Sequence, residues 1–435
     1  YADAVPAIVA VLAPLAEPLR PPPPSPAPAV AAATLPSDGD HSGRTLGDDE
    51  VALAAAAIRS GTLNSTRGTF VTRFERTFAE WLGVRHVVAC NSGSMAVHAA
   101  IAALGLAAGD EVITTPITDM GALTPILYEG AVPVFADVDP ATLNVTAATI
   151  AAQLTDRTRA IVVTHLFGCP AELAPILALA EARGIPVIED AAQAFGAGIG
   201  GRKVGTFGRI AAFSLQQGKH ITCGEGGLVA TDDPALARRL FLFVNKAWGY
   251  GDSKPDHTFP ALNGRLSELQ GAVALAQLPK LDDVVRRRRV VAAALRARLA
   301  GVPGLLLPDD PPHGTHAWWK FAFGVDAAVL GGGALALGKR MQAAGVACVP
   351  RYVQKPAFEC ELFRDWRRSP VTWLPLQHNP RAQGPMPPFT RERYPGAVQG
   401  LEQVVVLPIN ERYEERHVEQ VARTIAAAAR ELARG

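Results

Sequence analysis

Short apolar runs alternate with stretches of helical spacing along the middle of the chain. The runs are His86–Cys90, Glu111–Thr115, Val132–Ala136, Arg159–Val163, Ile185–Glu189, Arg209–Ser214 and Gly227–Thr231. They are continuously apolar instead of alternating with polar residues, which predicts strands buried on both faces. Between the first five lie longer segments with helical periodicity, such as Met95–Leu104 and Ala171–Ala182. Repeated strand–helix–strand units predict an α/β domain with a mostly parallel, seven-stranded sheet. After Glu225 the strands follow closely with no helix between them, so the last is expected to run antiparallel.

The flanks read differently. Gly47-Asp48-Asp49-Glu50 leads into Val51–Ile58, a helix start with acids where the helix dipole favours them. Phe70, Phe74, Phe78 and Trp81 recur at helical spacing and predict a helix over Phe70–Leu82. Gln270–Leu299 reads as one long helix whose basic run, Arg286–Arg289, is expected to be a solvated face. Beyond it, Trp318–Val325, Val346–Val349 and Val404–Leu407 read as strands, and Leu335–Ala344 and His417–Leu432 as helices. The organisation expected is a large domain over 46–289 and a smaller α+β C-terminal domain over 290–435. Residues 360–395, rich in Pro, Arg and Trp, are read as a loop. Residues 1–45 form a Pro/Ala-rich segment that cannot run as one helix or strand, because each proline fixes φ and lacks an N–H; an extended arm or flexible extension is expected. The apolar piece Val5–Leu15 has no basic segment before it and contains Pro14, so it is not read as a secretory signal.

Composition narrows the function classes. The chain has 435 residues, 49% hydrophobic and 19% charged, which excludes wholesale disorder and suffices for a large core. Lysine plus arginine (42) nearly equals aspartate plus glutamate (41), for a net charge of +1. Surfaces built to hold nucleic acid or anionic membrane need a basic excess, so neither partner is expected. No apolar stretch reaches the length of a membrane span. Five cysteines (Cys90, Cys169, Cys223, Cys348, Cys360) show no CxxC spacing. They read as reduced thiols of a cytoplasmic protein with no metal site.

In an open α/β sheet, ligands gather outside the carboxyl ends of the strands. Polar signals fall at such places here. Asn91-Ser92-Gly93-Ser94 follows the first strand and opens a helix, where free backbone N–H groups bind anions. Glu189-Asp190 ends an apolar strand, where a carboxylate needs a cationic or hydrogen-bonding partner. Lys219, in Ser214-Leu215-Gln216-Gln217-Gly218-Lys219-His220, lies where desolvation would free a nucleophilic amine. Gly224-Glu225-Gly226-Gly227 permits tight turns and close backbone approach to a ligand. Taken singly, these read equally as an ordinary serine cap, an internal salt bridge and a surface lysine. Together they fit pyridoxal 5'-phosphate, which needs an anion cup, a carboxylate for its pyridinium nitrogen and a lysine for its aldehyde.

From about Thr66 to Leu281, and again near the C-terminus, the sequence resembles the DegT/DnrJ/EryC1/StrS family of pyridoxal-phosphate-dependent sugar aminotransferases. The matching runs are Asn91-Ser92-Gly93-Ser94-Met95-Ala96, His165-Leu166-Phe167-Gly168, Glu189-Asp190-Ala191-Ala192-Gln193-Ala194, Ser214 with Lys219, Gly224-Glu225-Gly226-Gly227, Asn263-Gly264-Arg265 and Gln277-Leu278. The resemblance implies an aspartate aminotransferase-like (fold type I) large domain and a homodimer with shared sites. It makes Lys219 the Schiff-base lysine and proton carrier, and Asp190 the pyridinium partner. Gln193 would lie near the ring hydroxyl, Gly93, Ser94 and Ser214 would hold the phosphate, and Asn263 would reach it from the other subunit. His165, His220 and Arg265 are weaker substrate candidates.

Two positions depart from the family. Asp119 stands where an aromatic residue usually stacks on the cofactor ring, and Gly264 replaces a frequent aromatic near the substrate. The reaction implied moves an amino group from glutamate or glutamine to a keto sugar or keto cyclitol. The Gln216-Gln217-Gly218-Lys219 run leans toward cyclitols or free and phosphorylated keto sugars. Rival readings are a sugar dehydratase of the same family, in which histidine replaces the Schiff-base lysine, and a non-catalytic, cofactor-binding regulator, for which Asp119 is the hint. Gly196-Ala197-Gly198-Ile199-Gly200-Gly201 matches GxGxxG but neither directly follows a strand nor opens a helix, and Lys203-Val204-Gly205 after it reads as a hairpin.

Overall fold

The central sheet is built from β1 (His86–Cys90), β2 (Glu111–Thr114), β3 (Val132–Phe135), β4 (Thr158–Thr164), β5 (Val187–Asp190), β8 (Ile210–Ser214) and β9 (Gly227–Thr231), with a hairpin of β6 (Gly198–Ile199) and β7 (Arg202–Lys203) between β5 and β8. Its seven strands lie in the order β1-β9-β8-β5-β4-β2-β3 in this computed structural model, which describes residues 34–364 and 389–433. β9 pairs antiparallel with both β1 and β8, while the other neighbours are parallel. The reversal follows from the short loop 215–226, which has no crossover helix to return the chain to the sheet's starting edge.

Both faces are covered. The helix Gly93–Ala103 packs its alanines on Ile188, Ile210, Ala212 and Val229. On the other face the helix Phe70–Leu82 sets Phe78 against Phe213, with centroids 5.2 Å apart, and against Phe195 at 6.1 Å. The GxGxxG stretch ends in the hairpin turn, where Gly200 (φ 57°) and Gly201 (φ 81°) adopt the left-handed conformations such turns require.

A second, antiparallel sheet follows in the order β10-β11-β13-β12, from β10 (Leu305–Leu306), β11 (Phe321–Val325), β12 (Val349–Pro350) and β13 (Val404–Leu407). The helices Gly333–Ala343 and Glu415–Leu432 cover it. The expected strand from Trp318 starts only at Phe321, because Trp318 takes φ 53° and breaks the extended run. The expected single helix over 270–299 divides into Glu268–Gln277 and Leu281–Leu299 around a 3₁₀ turn at Leu278–Lys280, where Pro279 lacks the N–H to continue. The second of these helices runs unbroken through residues 289 and 290. Two helices lacked a sequence reading, Pro234–Val244 and Pro395–Gln403; in the first, Pro234 follows the capping Asp233. Within 360–395, read as loop, Glu361–Arg364 is helical and Arg391–Arg393 is a 3₁₀ turn, and 365–388 lie outside the described residues. Among the described residues no helix is long and apolar enough to cross a membrane.

Two surface expectations are corrected. Arg286 and Arg287 are exposed and pair with Asp283, but Arg288 is fully buried. It shares the helix face of Val284, Val285, Val291, Ala292 and Leu295, and that helical spacing carries it inward. Arg289 turns inward as well, donating to the carbonyls of His316 (2.9 Å) and Gly196 (3.0 Å). The arm expected over 1–45 is docked where it is described: Asp38 is 7% exposed and Arg44 1%. Residues 1–33 lie outside the described residues.

Candidate active site

The carboxyl ends of β1, β5 and β8 deliver the chemistry. After β1, Ser92 caps the helix Gly93–Ala103 by accepting from Met95 N (3.1 Å). The ordinary cap reading is therefore realised, and it leaves the N–H groups of Gly93 and Ser94 with no acceptor among the described residues. Ser214, at the end of β8, closes the cup: a Cβ on Gly93 would stand 2.7 Å from Ser214 Cβ. Within Gly224-Glu225-Gly226-Gly227, Gly227 plays a different part from the ligand approach expected. A Cβ on Gly227 would meet Ser92 O at 2.2 Å, so the close approach is to the chain's own cup-forming backbone.

Glu189 and Asp190, neighbours at the end of β5, point to opposite faces of the sheet and meet opposite fates. Glu189 accepts from Gly205 N (2.6 Å), Phe207 N (2.7 Å), Gly208 N (2.6 Å) and His165 Nε2 (3.2 Å). Burial alone would raise its pKa, but the bonds and charge of His165 and the N–H bonds of Gly208 and Gly205 hold it below the usual range. Asp190 is also buried and, among the described residues, receives only Ala192 N (3.1 Å) and a long contact from Thr164 Oγ1 (3.4 Å). Burial pushes its pKa up, despite Ala192 and the charge of Lys219. It is a buried carboxylate short of a cationic partner.

Lys219 Nζ stands 4.2 Å over the Trp319 ring. Burial draws its pKa down to about 8, against the charges of Asp190 and Asp119, which hold its proton on. Trp319 in turn donates its indole N–H to Gly218 O (2.7 Å) and fixes the loop. Gln193 Oε1 accepts from Phe167 N (2.7 Å), and its side chain also bonds Tyr352. Burial and the charges of Asp119 and Asp190 push the Tyr352 phenol up to about 12, so it stays a neutral donor. Trp319 and Tyr352 were missed in the sequence because they arrive from beside the second sheet, Tyr352 on a segment with left-handed φ at Arg351, Tyr352 and Gln354. Asp119 is exposed, accepts from Gly121 N (2.7 Å), and shares the cleft with Lys219 and Tyr352.

The weaker substrate candidates fare differently. His165 is fully enclosed; Ala171 N donates to its Nδ1 (3.0 Å) and its Nε2 faces Glu189, so no ring nitrogen is left for a substrate. His220 is also enclosed, with Nε2 on Ala317 O (3.0 Å) and Nδ1 buried without a partner. Burial, followed by the charge of Arg288, keeps it neutral. Arg265 is half-buried with Nη1 unpartnered, and Asn263 is exposed beside Leu262, with Oδ1 on Arg265 N (3.2 Å). Between them Gly264 packs on Met95: a Cβ there would stand 2.9 Å from Met95 Sδ, so a larger residue would have to displace that side chain.

The arrangement suits one type of ligand. Free N–H groups at a helix start donate to a phosphate, Asp190 calls for a cationic ring nitrogen, and an amine titrating near neutrality is both nucleophile and base. The residues therefore fit pyridoxal phosphate on their own geometry. The chain is 38% identical over 260 residues to the GDP-perosamine synthase of Caulobacter vibrioides, covering 59% of this chain and 69% of that protein. Among solved structures, the aminotransferase TlmJ from Streptoalloteichus hindustanus superposes with TM-score 0.76 at 30% identity, covering 90% of this chain and 98% of that one. DesI, solved in the presence of its TDP-sugar product, gives TM-score 0.78 at 28% identity, covering 92% and 94%. The architecture is that of the fold type I aminotransferases, and the model of the DegT/DnrJ/EryC1/StrS aminotransferase family matches residues 44–426, so the chain belongs to that family.

Proposed function

We propose that this aminotransferase moves an amino group from glutamate or glutamine to a keto sugar, using Lys219 and Asp190 on bound pyridoxal phosphate. The observation that carries the reading is the pair itself: an amine drawn down to about 8 and a buried carboxylate lacking a cation, beside an anion cup. Pyridoxal phosphate, when bound, supplies an electrophilic carbonyl and a ring that withdraws electrons from the reacting carbon. Gly93, Ser94 and Ser214 hold its phosphate, and Asp190 keeps its ring nitrogen protonated. Gln193 and Tyr352 donate along the ring's edge. Lys219 holds the cofactor in the resting enzyme and then carries a proton between carbon atoms.

The names of the relatives turn the acceptor toward a keto sugar carried on a nucleotide, away from the cyclitols that the loop sequence favours. Asn263, exposed beside Leu262, suits a residue that completes the site of a second copy, and we assign a homodimer. The lysine at 219 speaks against the dehydratase reading. The five unpaired cysteines fit a cytoplasmic enzyme.

The test is the visible absorption of the purified protein with pyridoxal phosphate, before and after glutamate or glutamine, alongside Lys219→Ala. A yellow band that bleaches on adding one donor, and is absent in the variant, is expected; it also names the donor. A protein that stays colourless, or a Lys219→Ala variant that keeps the band, sinks the reading.

A further inference from the structure

Residues 34–45 grip the Lys219 loop on both sides of the lysine. Gln217 Nε2 donates to Asp38 O (3.1 Å), and Arg44 Nη2 donates to His220 O (3.5 Å). Between these anchors the Asp38 carboxylate meets Lys320 Nζ at 2.9 Å, Arg288 Nη2 at 3.1 Å and Arg44 Nη1 at 3.4 Å. Lys320 directly follows Trp319, and its ammonium lies 4.9 Å from the same indole that Lys219 faces at 4.2 Å. Two ammonium groups thus share one ring. Lys320 has a carboxylate in contact; among the described residues Lys219 has none within 4.0 Å.

The charges explain why Asp38 matters. Arg44, Arg288 and Lys320 are three cations answered by two anions, Asp38 and Glu411. Removing Asp38 leaves the three facing Glu411 alone, next to the loop that bears Lys219. The groups whose charges bear on Lys219 are Asp190 from β5, Asp119 from the loop after β2 and Lys320 from the segment before β11, while His220 and Tyr352 are neutral.

We propose that residues 34–45 form a strap that locks the Lys219 loop, and that Asp38 is a positioning residue: by pairing Lys320 it blunts that cation's repulsion of Lys219 across Trp319. This rests on the reading of Lys219 as the amine that holds the cofactor.

The experiment measures Lys219 directly, without cofactor. Acetic anhydride labels only uncharged amines, so the extent of Lys219 acetylation across a pH series, read by mass spectrometry, gives its titration midpoint. Asp38→Asn is expected to move that midpoint down by roughly one pH unit, the size of an uncompensated charge at this range in a partly screened interior. Adding Lys320→Met to Asp38→Asn restores the original midpoint, which a merely structural loss would not do. An unmoved midpoint in Asp38→Asn, or a double variant that stays shifted, overturns the proposal. Should Asp38→Asn fail to fold, Lys320→Met alone must raise the midpoint, and an unchanged value overturns it as well. A Lys219→Ala protein that still binds the chromophore would instead refute the assigned role of Lys219, leaving these midpoints to judge the strap.

Discussion

Asp38 and Glu411, on the strap side of the Lys219 loop, are each held by a cation at hydrogen-bond distance, Lys320 and Arg288. In the cleft on its other side, Asp190 is also buried but, among the described residues, has one backbone donor, one long hydroxyl contact and no cation in contact. Even the strap cluster is not saturated, since Arg44 Nε and Glu411 Oε1 lack partners. Its charges are nonetheless paired, and those of the cleft are not. A buried charge with its partner in the chain holds structure together. One whose partner is missing costs stability until a ligand brings the opposite charge. The two regions therefore respond to substitution with opposite signs.

The sharpest break in that contrast comes from Arg288→Met. It strands Glu411, takes one of three cations from Asp38 and loses the donors to the carbonyls of Trp319 and Ile409. A loss of about 3–5 kcal/mol of unfolding free energy is expected in denaturant titration, as for other broken buried pairs. A neutral result would mean that the cluster is not dry.

Next come the neighbours on β5. Glu189→Gln keeps the shape, but its amide cannot accept from Gly205, Phe207 and Gly208 together. It should cost about 2–3 kcal/mol at neutral pH, for donors left buried and unmet. Because the folded pKa of Glu189 is depressed, wild type owes this stability to pH above the unfolded value. The gap between the two proteins should close as pH falls through the depressed folded value. Asp190 runs the other way. Its folded pKa is raised, so the folded state binds more protons than the unfolded chain between the two values, and stability falls as pH rises through them. Cofactor-free Asp190→Asn should thus be about 1 kcal/mol more stable than wild type at neutral pH, as functional-site replacements often are. That gain should vanish below about pH 4, while turnover of the loaded enzyme falls by about 100-fold or more. Melting temperatures of all three proteins from pH 3 to 8 check the signs, and parallel curves would erase the distinction between the two carboxylates.

The smallest effect is expected from Trp319→Phe, which keeps a ring beneath Lys219 and loses only the indole donor to Gly218 O. About 1 kcal/mol is at stake in a melting experiment, the usual net worth of such a bond. A much larger loss would mean that the indole organises the whole loop.

The strands of the central sheet were legible because they are buried on both faces and so carry an uninterrupted apolar code. β1 and β9 fall on the residues the pattern gave, and the antiparallel turn of β9 followed from the missing crossover. The candidates Asp190 and Ser214 end β5 and β8, while Gly93 opens the helix after β1 and Lys219 lies in the loop after β8; they drew notice because small or charged residues there interrupt that code. What failed was any property that depends on which surface a residue finally faces. Arg288 sits in a run of four arginines, and only its helical phase against Val284, Val291 and Leu295 marks it as buried.

The sequence by itself therefore determined the layered α/β architecture, the order of the strands' chemistry and the family, because these depend on local periodicity and on residues close to one another in the chain. Only the tertiary structure decided which charges are paired. Asp38 meets Lys320 and Arg288 across long stretches of chain, and Tyr352 enters the cleft from a strained turn beside the second sheet. Whether a buried charge stabilises or waits for a ligand depends on what stands within a few ångströms of it, and that distance is set only when the sheets and helices have packed.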